Sequence, residues 1–224
     1  MSSKGNSLAR TRSSGTLLRF ERELWRGGFT LVAGIDEAGR GPLAGPVVAA
    51  AVIFRPGQTI PPVTDSKQLT SNQRETLCDQ IMRMATAVGV GIVDHHVIDR
   101  VNILQATYRA MHKAVRRLAL RPEYLLIDGN RFRGKDIPFL TIVDGDARSA
   151  SIAAASIVAK VTRDHMMLDY DSRYPGYGFA KHKGYPTAEH CDAIRRLGYC
   201  TIHRKTFHVA GSLVSHLQAA TERL

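Results

Sequence analysis

Residues 34–46, Gly-Ile-Asp-Glu-Ala-Gly-Arg-Gly-Pro-Leu-Ala-Gly-Pro, combine acids, glycines and apolar residues in one short stretch. The adjacent acids Asp36 and Glu37 close an apolar run that starts at Leu31. A glycine-rich turn follows, and a second apolar run occupies residues 47–54, so the pattern predicts two strands joined by a turn. A purely structural hairpin needs no acids beside its core strand. The acids could hold a metal ion, and the glycines could let a polyanion approach the backbone closely.

Strand and helix patterns alternate through the remaining sequence. Apolar periodicity predicts helices over residues 70–88, 102–118 and 149–170, strands over 88–93, 123–128 and 137–143, and two short helices near 187–197 and 206–221. Thr70 and Gln73 form a capping box at the start of the first of these helices. The alternation predicts the α/β class, with a mixed β-sheet flanked by helices.

Composition suggests three parts. Residues 1–16 are rich in Ser, Gly and Arg and contain no acid, so they are predicted to form a disordered basic arm. Residues 17–174 carry the α/β core. Residues 175–224 are predicted to form a basic helical region, since eight Lys and Arg outnumber three Asp and Glu between residues 173 and 224. The arm could contact nucleic acid or remain a solvated tail.

Charge and cysteine usage restrict the class of protein. The 224 residues include 31 Lys and Arg against 20 Asp and Glu, and the resulting net charge of +11 favours a polyanionic partner such as nucleic acid. No run approaches the roughly 18 apolar residues that a membrane span requires. Three widely spaced cysteines form no CxxC motif, which disfavours a disulfide framework or a zinc site. We therefore expect a soluble, cytoplasmic protein without a membrane partner.

Acids recur where predicted strands end: Asp36 and Glu37, then Asp128, then Asp144 and Asp146. Ligand sites gather at strand ends in open α/β sheets. An all-oxygen ligand set suits Mg²⁺ or Mn²⁺, and a pair of such ions is a known arrangement for phosphodiester hydrolysis. Two ambiguities stay open at this point. A regular strand would point Asp36 and Glu37 to opposite faces, and spacing cannot choose between Asp144 and Asp146.

The chain resembles a known family in several ordered blocks. The stretch from Gly34 to Val52 resembles the opening signature of the bacterial type 2 ribonuclease H family, ribonuclease HII. The resemblance continues through residues 65–69, 126–130, 145–146, 152–164, 177–179 and 183–187, and ends near His190. It implies an RNase H-like core with a C-terminal helical region.

The resemblance also implies a function. The family cleaves RNA within RNA–DNA hybrids and incises duplex DNA on the 5′ side of an embedded ribonucleotide, leaving a 3′-hydroxyl and a 5′-phosphate. It implies dependence on Mg²⁺ or Mn²⁺ at a two-metal site. The four acidic ligands of the family fall on Asp36, Glu37, Asp128 and Asp146, so the choice of Asp146 over Asp144 rests on analogy.

Further residues are implied to contact the substrate. The family Gly-Arg-Gly falls on Gly39, Arg40 and Gly41 and is expected to read the 2′-hydroxyl, largely through backbone groups. Tyr185 is expected to stack on the sugar of the following deoxynucleotide. Five basic side chains are candidate phosphate contacts, namely Lys67, Lys160, Arg163, Lys181 and Lys183. Lys160 could instead pair with Asp164 one helical turn away.

Three alternatives compete with this interpretation. Ribonuclease HIII would carry a folded N-terminal domain and Gly-Lys-Gly, whereas this chain has a short polar arm and arginine at position 40. A non-catalytic basic nucleic-acid-binding protein would tolerate substitution of the acids. Another RNase H-like nuclease, such as a junction resolvase, would lack the Gly-Arg-Gly and Tyr185. We expect a monomer, and residues 221–224 give no convincing motif for binding a sliding clamp.

Overall fold

The computed structural model of the protein describes residues 17–207. Within this range the strands are β1 (Val32–Ala38), β2 (Val47–Phe54), β3 (Ala87–Val93), β4 (Tyr124–Asp128) and β5 (Phe139–Ile142). The helices are α1 (Arg19–Arg26), α2 (Ser71–Met84), α3 (His95–Val101), α4 (Ile103–Arg116), α5 (Ala150–Arg173), α6 (Phe179–His182) and α7 (Ala188–Leu197). Among these described helices, none combines the length and apolar character that crossing a membrane demands.

The strands form one mixed sheet in the order β3-β2-β1-β4-β5. β1 pairs antiparallel with β2, to which the glycine-rich turn connects it. β2 pairs antiparallel with β3, and α2 lies in the connection between these two strands. β4 pairs parallel with both β1 and β5. This arrangement confirms the predicted α/β class and the mixed sheet.

Helices cover both faces of the sheet. One face carries the even-numbered side chains of β2, which pack on the alanine-rich first half of α5. The other face carries the odd-numbered side chains of β1 and β2, which pack on α4. Gly34 allows α5 to approach the sheet closely, because a Cβ there would lie 2.1 Å from the backbone carbon of Ser151 in α5. The sheet and α5 are therefore in backbone contact beside the acids at the end of β1.

One predicted boundary was wrong, because the helix predicted over 70–88 ends at Met84, and Ala87 and Val88 already belong to β3. The helix predicted over 102–118 begins at Ile103 and is preceded by α3, because Asn102 adopts a φ of 67° between the two helices. Its side chain accepts a hydrogen bond from the amide of Gln105 at 3.1 Å and so starts a new helix. His95 and His96 open α3 behind the capping residue Asp94. The short helices α1 and α6 were not predicted.

The segment after α5 folds back onto the turn between β1 and β2. Buried apolar side chains from the turn, α5, α6, α7 and the segment after α7 form one cluster, comprising Ala44, Met167, Tyr177, Phe179, Ala193 and Ile202. Thr206 and Phe207 are not helical, and the remainder of the helix predicted over 206–221 lies outside the described residues, as does the arm 1–16.

Candidate active site

Parallel pairing of β1 with β4 brings the first acids together. The last paired residues are Ile35 and Ile127, and one further step in the same register sets Asp36 beside Asp128. Neighbouring strands lie about 4.8 Å apart, and equivalent positions in a parallel pair face the same side of the sheet. Both carboxylates therefore lie on the α5 face, where β4 ends.

Asp36 is buried at this strand end. Its Oδ1 accepts a hydrogen bond from the amide of Glu37 at 2.6 Å, and its carboxylate is also hydrogen-bonded to the side chain of Ser156 in α5. Burial raises the pKa of Asp36 well above its ordinary value, and repulsion from Glu37 and then Asp128 raises it further. Loss of water and like charge therefore both oppose ionisation of this group.

Glu37 follows on the opposite face of an unbroken strand. The register between β1 and β2 continues without a bulge to Ala38 and Val48, so both acids lie within regular strand pairing. The Glu37 side chain is only 10% exposed and its Oε1 accepts from Arg40 Nη1 at 3.1 Å. Burial raises the pKa of Glu37, Arg40 lowers it, and Asp128 raises it again. Asp128 thus raises the pKa of both acids of β1, although their side chains point to different faces of the sheet.

Asp128 and Asp146 meet where β4 and β5 end. Asp128 Oδ1 accepts a hydrogen bond from the amide of Gly145 at 2.6 Å, which fixes the short 3₁₀ turn Gly145–Ala147 beside the strand end. Burial raises the pKa of Asp128, with a further contribution from Asp146. Asp146 is buried, whereas Asp144 is exposed and has a φ of 52°. The structure therefore turns Asp146, and not Asp144, toward the other acids.

Basic side chains of the chain itself balance part of this charge. Lys67 Nζ lies 3.1 Å from Asp146 Oδ2, and this hydrogen bond raises the pKa of Lys67. The Lys67 side chain is 79% exposed, so it bridges the acids and solvent. Together with Arg40 on Glu37, it supplies two positive charges against four carboxylates.

The donor set fits a hard divalent cation, although the side chains as placed do not form a finished site. Among residues 17–207, no three Asp, Glu, His or Cys side chains converge closely enough to hold a metal ion. The four carboxylates instead face donors of their own chain. Buried carboxylates whose pKa values are raised by one another are stabilised by a cation between them. An oxygen-only set of this kind suits Mg²⁺ or Mn²⁺.

The glycine-rich turn beside the acids contains two glycines with different environments. Gly39 has a φ of 93°, and a Cβ there would lie 2.1 Å from Arg163 Nε. At Gly41 the nearest atom to an added Cβ is Tyr185 Cε1, at 3.7 Å. The fold therefore requires glycine at position 39, whereas it leaves room for a side chain at position 41.

Tyr185 stands next to Gly41 and is 40% exposed. The backbone around it is tied to the turn, because the amide of Leu43 donates to Gly184 O at 2.8 Å. The guanidinium of Arg163 lies 5.8 Å from the centre of the Tyr185 ring. The structure thus brings the predicted Gly-Arg-Gly and Tyr185 into contact, although about 145 residues separate them in the sequence.

The other lysine candidates already have polar partners within the chain. Lys160 Nζ pairs with Asp164 Oδ1 at 2.7 Å, as the local alternative predicted. Lys181 pairs with Glu189, and Lys183 Nζ donates to the carbonyl of Ala180.

Arg163 is buried and donates to the carbonyls of Pro46 at 3.0 Å and Ala44 at 3.1 Å. Its assignment as a candidate phosphate contact was wrong, because its guanidinium is enclosed beneath the turn.

Two buried charged residues were missed by the sequence interpretation. Arg204 donates to carbonyls of the glycine-rich turn, and its local sequence shows no pattern that would reveal such distant acceptors. Glu21 accepts hydrogen bonds at the start of α5. Its position could have been noticed, because it lies at helical spacing between the apolar residues Leu17 and Leu24.

The chain is similar to proteins of one family over most of its length. A family model described as Ribonuclease HII matches residues 33–210. The chain is 62% identical over 191 residues to the Ribonuclease HII of Geobacter sp. (strain M21), an alignment that covers 85% of this chain and 83% of that protein. It is 60% identical over 192 residues to the Ribonuclease HII of Geobacter metallireducens, with 86% and 90% covered.

Solved structures give the same result for the fold. The ribonuclease H2 from Pyrococcus horikoshii OT3 superposes with a TM-score of 0.68 at 26% sequence identity, covering 84% of this chain and 99% of that chain. This likeness confirms the predicted RNase H-like sheet flanked by helices.

Proposed function

Because this chain belongs to the ribonuclease HII family, we propose that it hydrolyses the RNA strand of RNA–DNA hybrids and incises duplex DNA on the 5′ side of embedded ribonucleotides. The products would carry a 3′-hydroxyl and a 5′-phosphate. Family membership makes the chain an enzyme of the ribonuclease H type. The observation that carries the proposal is the register of β1 with β4, which sets Asp36 beside Asp128 next to the glycine-rich turn.

Asp36, Glu37, Asp128 and Asp146 are the proposed ligands of two Mg²⁺ or Mn²⁺ ions. Such ions activate water and stabilise the leaving oxygen in phosphodiester hydrolysis. The four side chains would supply the negative charge that retains the ions, and their burial strengthens every electrostatic interaction at the strand ends. Lys67, which already reaches Asp146, is positioned to contact the phosphate of the substrate as well.

Ribonucleotide recognition is assigned to Gly39, Arg40, Gly41 and Tyr185. The open space at Gly41 supports this assignment, because the fold itself does not require glycine there. A backbone without a Cβ lets a ribose come close enough for its 2′-hydroxyl to meet backbone groups. The exposed ring of Tyr185 offers a stacking surface beside the same position.

The basic side chains and the C-terminal part of the chain complete the proposed interface. Lys160 and Lys183 are proposed to contact backbone phosphates, and the net charge of +11 would attract the duplex. We assign residues 17–174 to the catalytic core, 175–224 to substrate binding, and 1–16 to a basic arm. We also propose that the protein acts as a monomer in the cytoplasm, in ribonucleotide excision during DNA repair and replication.

Substitution of the acids tests the proposal. Asp128→Asn and Asp146→Asn should each lower turnover of a duplex with one embedded ribonucleotide by at least about 100-fold, since each removes a ligand charge. Binding of that duplex in EDTA should be largely retained. Asp144→Asn is the matched control, because Asp144 is exposed on the same turn, and it should cleave normally. Near wild-type turnover in both test variants would refute the assignment and favour a non-catalytic binding protein.

A further inference from the structure

We propose that Arg204 and His203 are positioning residues for ribonucleotide recognition, holding the glycine-rich turn and Tyr185 in one fixed geometry. The inference rests on the proposed function and adds to it the residues that set its specificity. Both residues belong to the segment after α7, which contains none of the proposed ligands or substrate contacts.

Arg204 organises the turn through its carbonyl groups. The side chain is buried, and its Nε donates to Gly45 O at 3.0 Å. Nη1 donates to Arg40 O at 3.0 Å, and Nη2 donates to Gly39 O at 2.6 Å and Pro46 O at 3.2 Å. One guanidinium therefore binds four carbonyl oxygens of the turn, which point toward the protein interior.

Fixing the carbonyls also fixes the direction of the amides. Within residues 17–207, the amides of Arg40 and Gly41 donate to no protein acceptor. A peptide unit is planar, with its carbonyl and amide pointing in opposite directions. The inward carbonyls of Gly39 and Arg40 therefore aim the amides of Arg40 and Gly41 away from Arg204, at the side where a ribose hydroxyl could accept them.

His203 reaches the second recognition element through a chain of hydrogen bonds. His190 Nδ1 lies 2.9 Å from the carbonyl oxygen of Tyr185, so this nitrogen carries the proton. His190 Nε2 then accepts from His203 Nε2 at 3.1 Å, and His203 Nδ1 accepts from the amide of Cys200 at 3.0 Å. Both rings are buried, and burial lowers the pKa of each to about 4, which favours these neutral forms.

The two branches share one backbone anchor. His203 forms a β-bridge with Ala44, the amide of Gly45 donates to Ile202 O at 2.9 Å, and the amide of Arg204 donates to Leu43 O at 2.8 Å. The same short segment therefore touches the turn through its backbone, the carbonyls of the turn through Arg204, and the Tyr185 loop through His203. A displacement of this segment would move both recognition elements together.

The charge of Arg204 argues that its role exceeds packing. All four hydrogen-bond acceptors of Arg204 are neutral carbonyls, and a buried charge that is not bonded directly to a counter-ion destabilises a fold, although Asp99 acts on this guanidinium from nearby. Burial and the neighbouring Arg163 lower the pKa of Arg204 to about 9. A guanidinium carries five N–H donors in a fixed arrangement and can therefore orient several carbonyls at once. No neutral side chain offers as many donors.

Double-mutant cycles test the proposal. The activity to measure is kcat/KM on a duplex with one embedded ribonucleotide, for Arg204→Lys, Gly41→Ala and their combination. A second cycle uses His203→Gln, Tyr185→Ala and their combination. Arg19→Lys is the matched control, because Arg19 forms an exposed ion pair with Glu23 on α1, a helix with none of the proposed ligands or substrate contacts, and it should retain wild-type kcat/KM. Circular dichroism melting identifies the variants that are folded at the assay temperature.

Arg204→Lys and His203→Gln should each lower kcat/KM by at least about tenfold. The kcat/KM of each double variant should be less than about threefold below that of the less active of its two single variants, because both changes remove the same recognition contact. Losses that multiply within a cycle would overturn the positioning role. If Arg204→Lys does not fold, the His203 cycle decides. Wild-type protein without ribonucleotide-dependent incision would instead refute the proposed function itself.

Discussion

Asp36 is buried beside two other carboxylates, although moving an ionised carboxylate out of water costs free energy. Its pKa is raised by burial, then by Glu37 and Asp128. The folded state therefore binds a proton more tightly than the unfolded state at this group, and its contribution to stability falls as pH rises from the ordinary value of 3.8 through the raised pKa. At pH 8, well above the ordinary value, this cost is present, and a bound cation would relieve it.

Removing this charge should stabilise the metal-free protein. Asp36→Asn in EDTA at pH 8 should raise the unfolding free energy, since the neutral amide removes a buried charge that two neighbouring carboxylates repel. The melting temperature should rise by about 2–4 °C per kcal/mol for a chain of this size. The control is Asp192→Asn, which removes an exposed carboxylate on α7 and should change stability little.

Addition of Mg²⁺ should stabilise the wild type more than Asp36→Asn. The ion should raise the melting temperature of the wild type more than that of Asp36→Asn, because only the wild type keeps all proposed ligands. A variant that melts below the wild type in EDTA would show that Asp36 does not carry a charge penalty.

Individual residues were predictable to different degrees. The acids at strand ends could be recognised from the sequence, because carboxylates after apolar runs form a local pattern. The choice of Asp146 over Asp144 could not be made from spacing, since it depends on a 3₁₀ turn that Asp128 fixes through the amide of Gly145. The different needs of Gly39 and Gly41 also depend on distant side chains, Arg163 and Tyr185.

At the scale of elements, α1 is joined to the start of α5 by one buried carboxylate. Glu21 Oε1 accepts from Ser149 Oγ at 2.6 Å, from the amide of Ser151 at 2.9 Å and from Ser151 Oγ at 2.6 Å. A negative charge at a helix N-terminus is favoured by the helix dipole. Since α5 begins four residues after Asp146, this contact supports the backbone that carries a proposed ligand.

Glu21→Gln should destabilise the protein by about 1–3 kcal/mol, because a charged acceptor of three hydrogen bonds is replaced by a neutral amide in a buried site. Urea unfolding monitored by circular dichroism measures this difference. The matched control is Glu23→Gln on the same helix, where the side chain forms an exposed pair with Arg19 and should contribute less than about 1 kcal/mol. Equal effects of the two substitutions would contradict the proposed anchoring of α5.

The sequence predicted elements best where their signals were local. The capping box of Thr70 and Gln73 is confirmed, with both hydrogen bonds present at the start of α2. The start of α4 was predicted to within one residue, whereas α3 was not predicted, because its seven residues follow β3 directly and are too few to show a helical period. The backbone contact of Gly34 with α5 was also beyond prediction, because it requires knowledge of which helix covers which face.

At the scale of the whole molecule, the site draws on parts of the chain that are far apart in sequence. Strand ends contribute the acids, the turn after β1 contributes the glycines, and the segment after α7 holds the turn in place. The alternation of strand and helix patterns predicted the mixed sheet, and the excess of positive charge can be read from the composition. The sequence did not predict that residues 202–204 would bind the turn, because hydrogen bonds to backbone carbonyls leave no mark on residue type.

Cleavage of matched duplexes tests whether the protein incises DNA at embedded ribonucleotides. Two duplexes of identical sequence, one with a single ribonucleotide and one of DNA alone, are incubated with wild-type protein in Mg²⁺ and in EDTA, and the products are mapped to the nucleotide. We expect incision on the 5′ side of the ribonucleotide, with a 3′-hydroxyl and a 5′-phosphate, only in Mg²⁺ and only in the ribonucleotide duplex. Equal cleavage of both duplexes, or undiminished cleavage in EDTA, would contradict it.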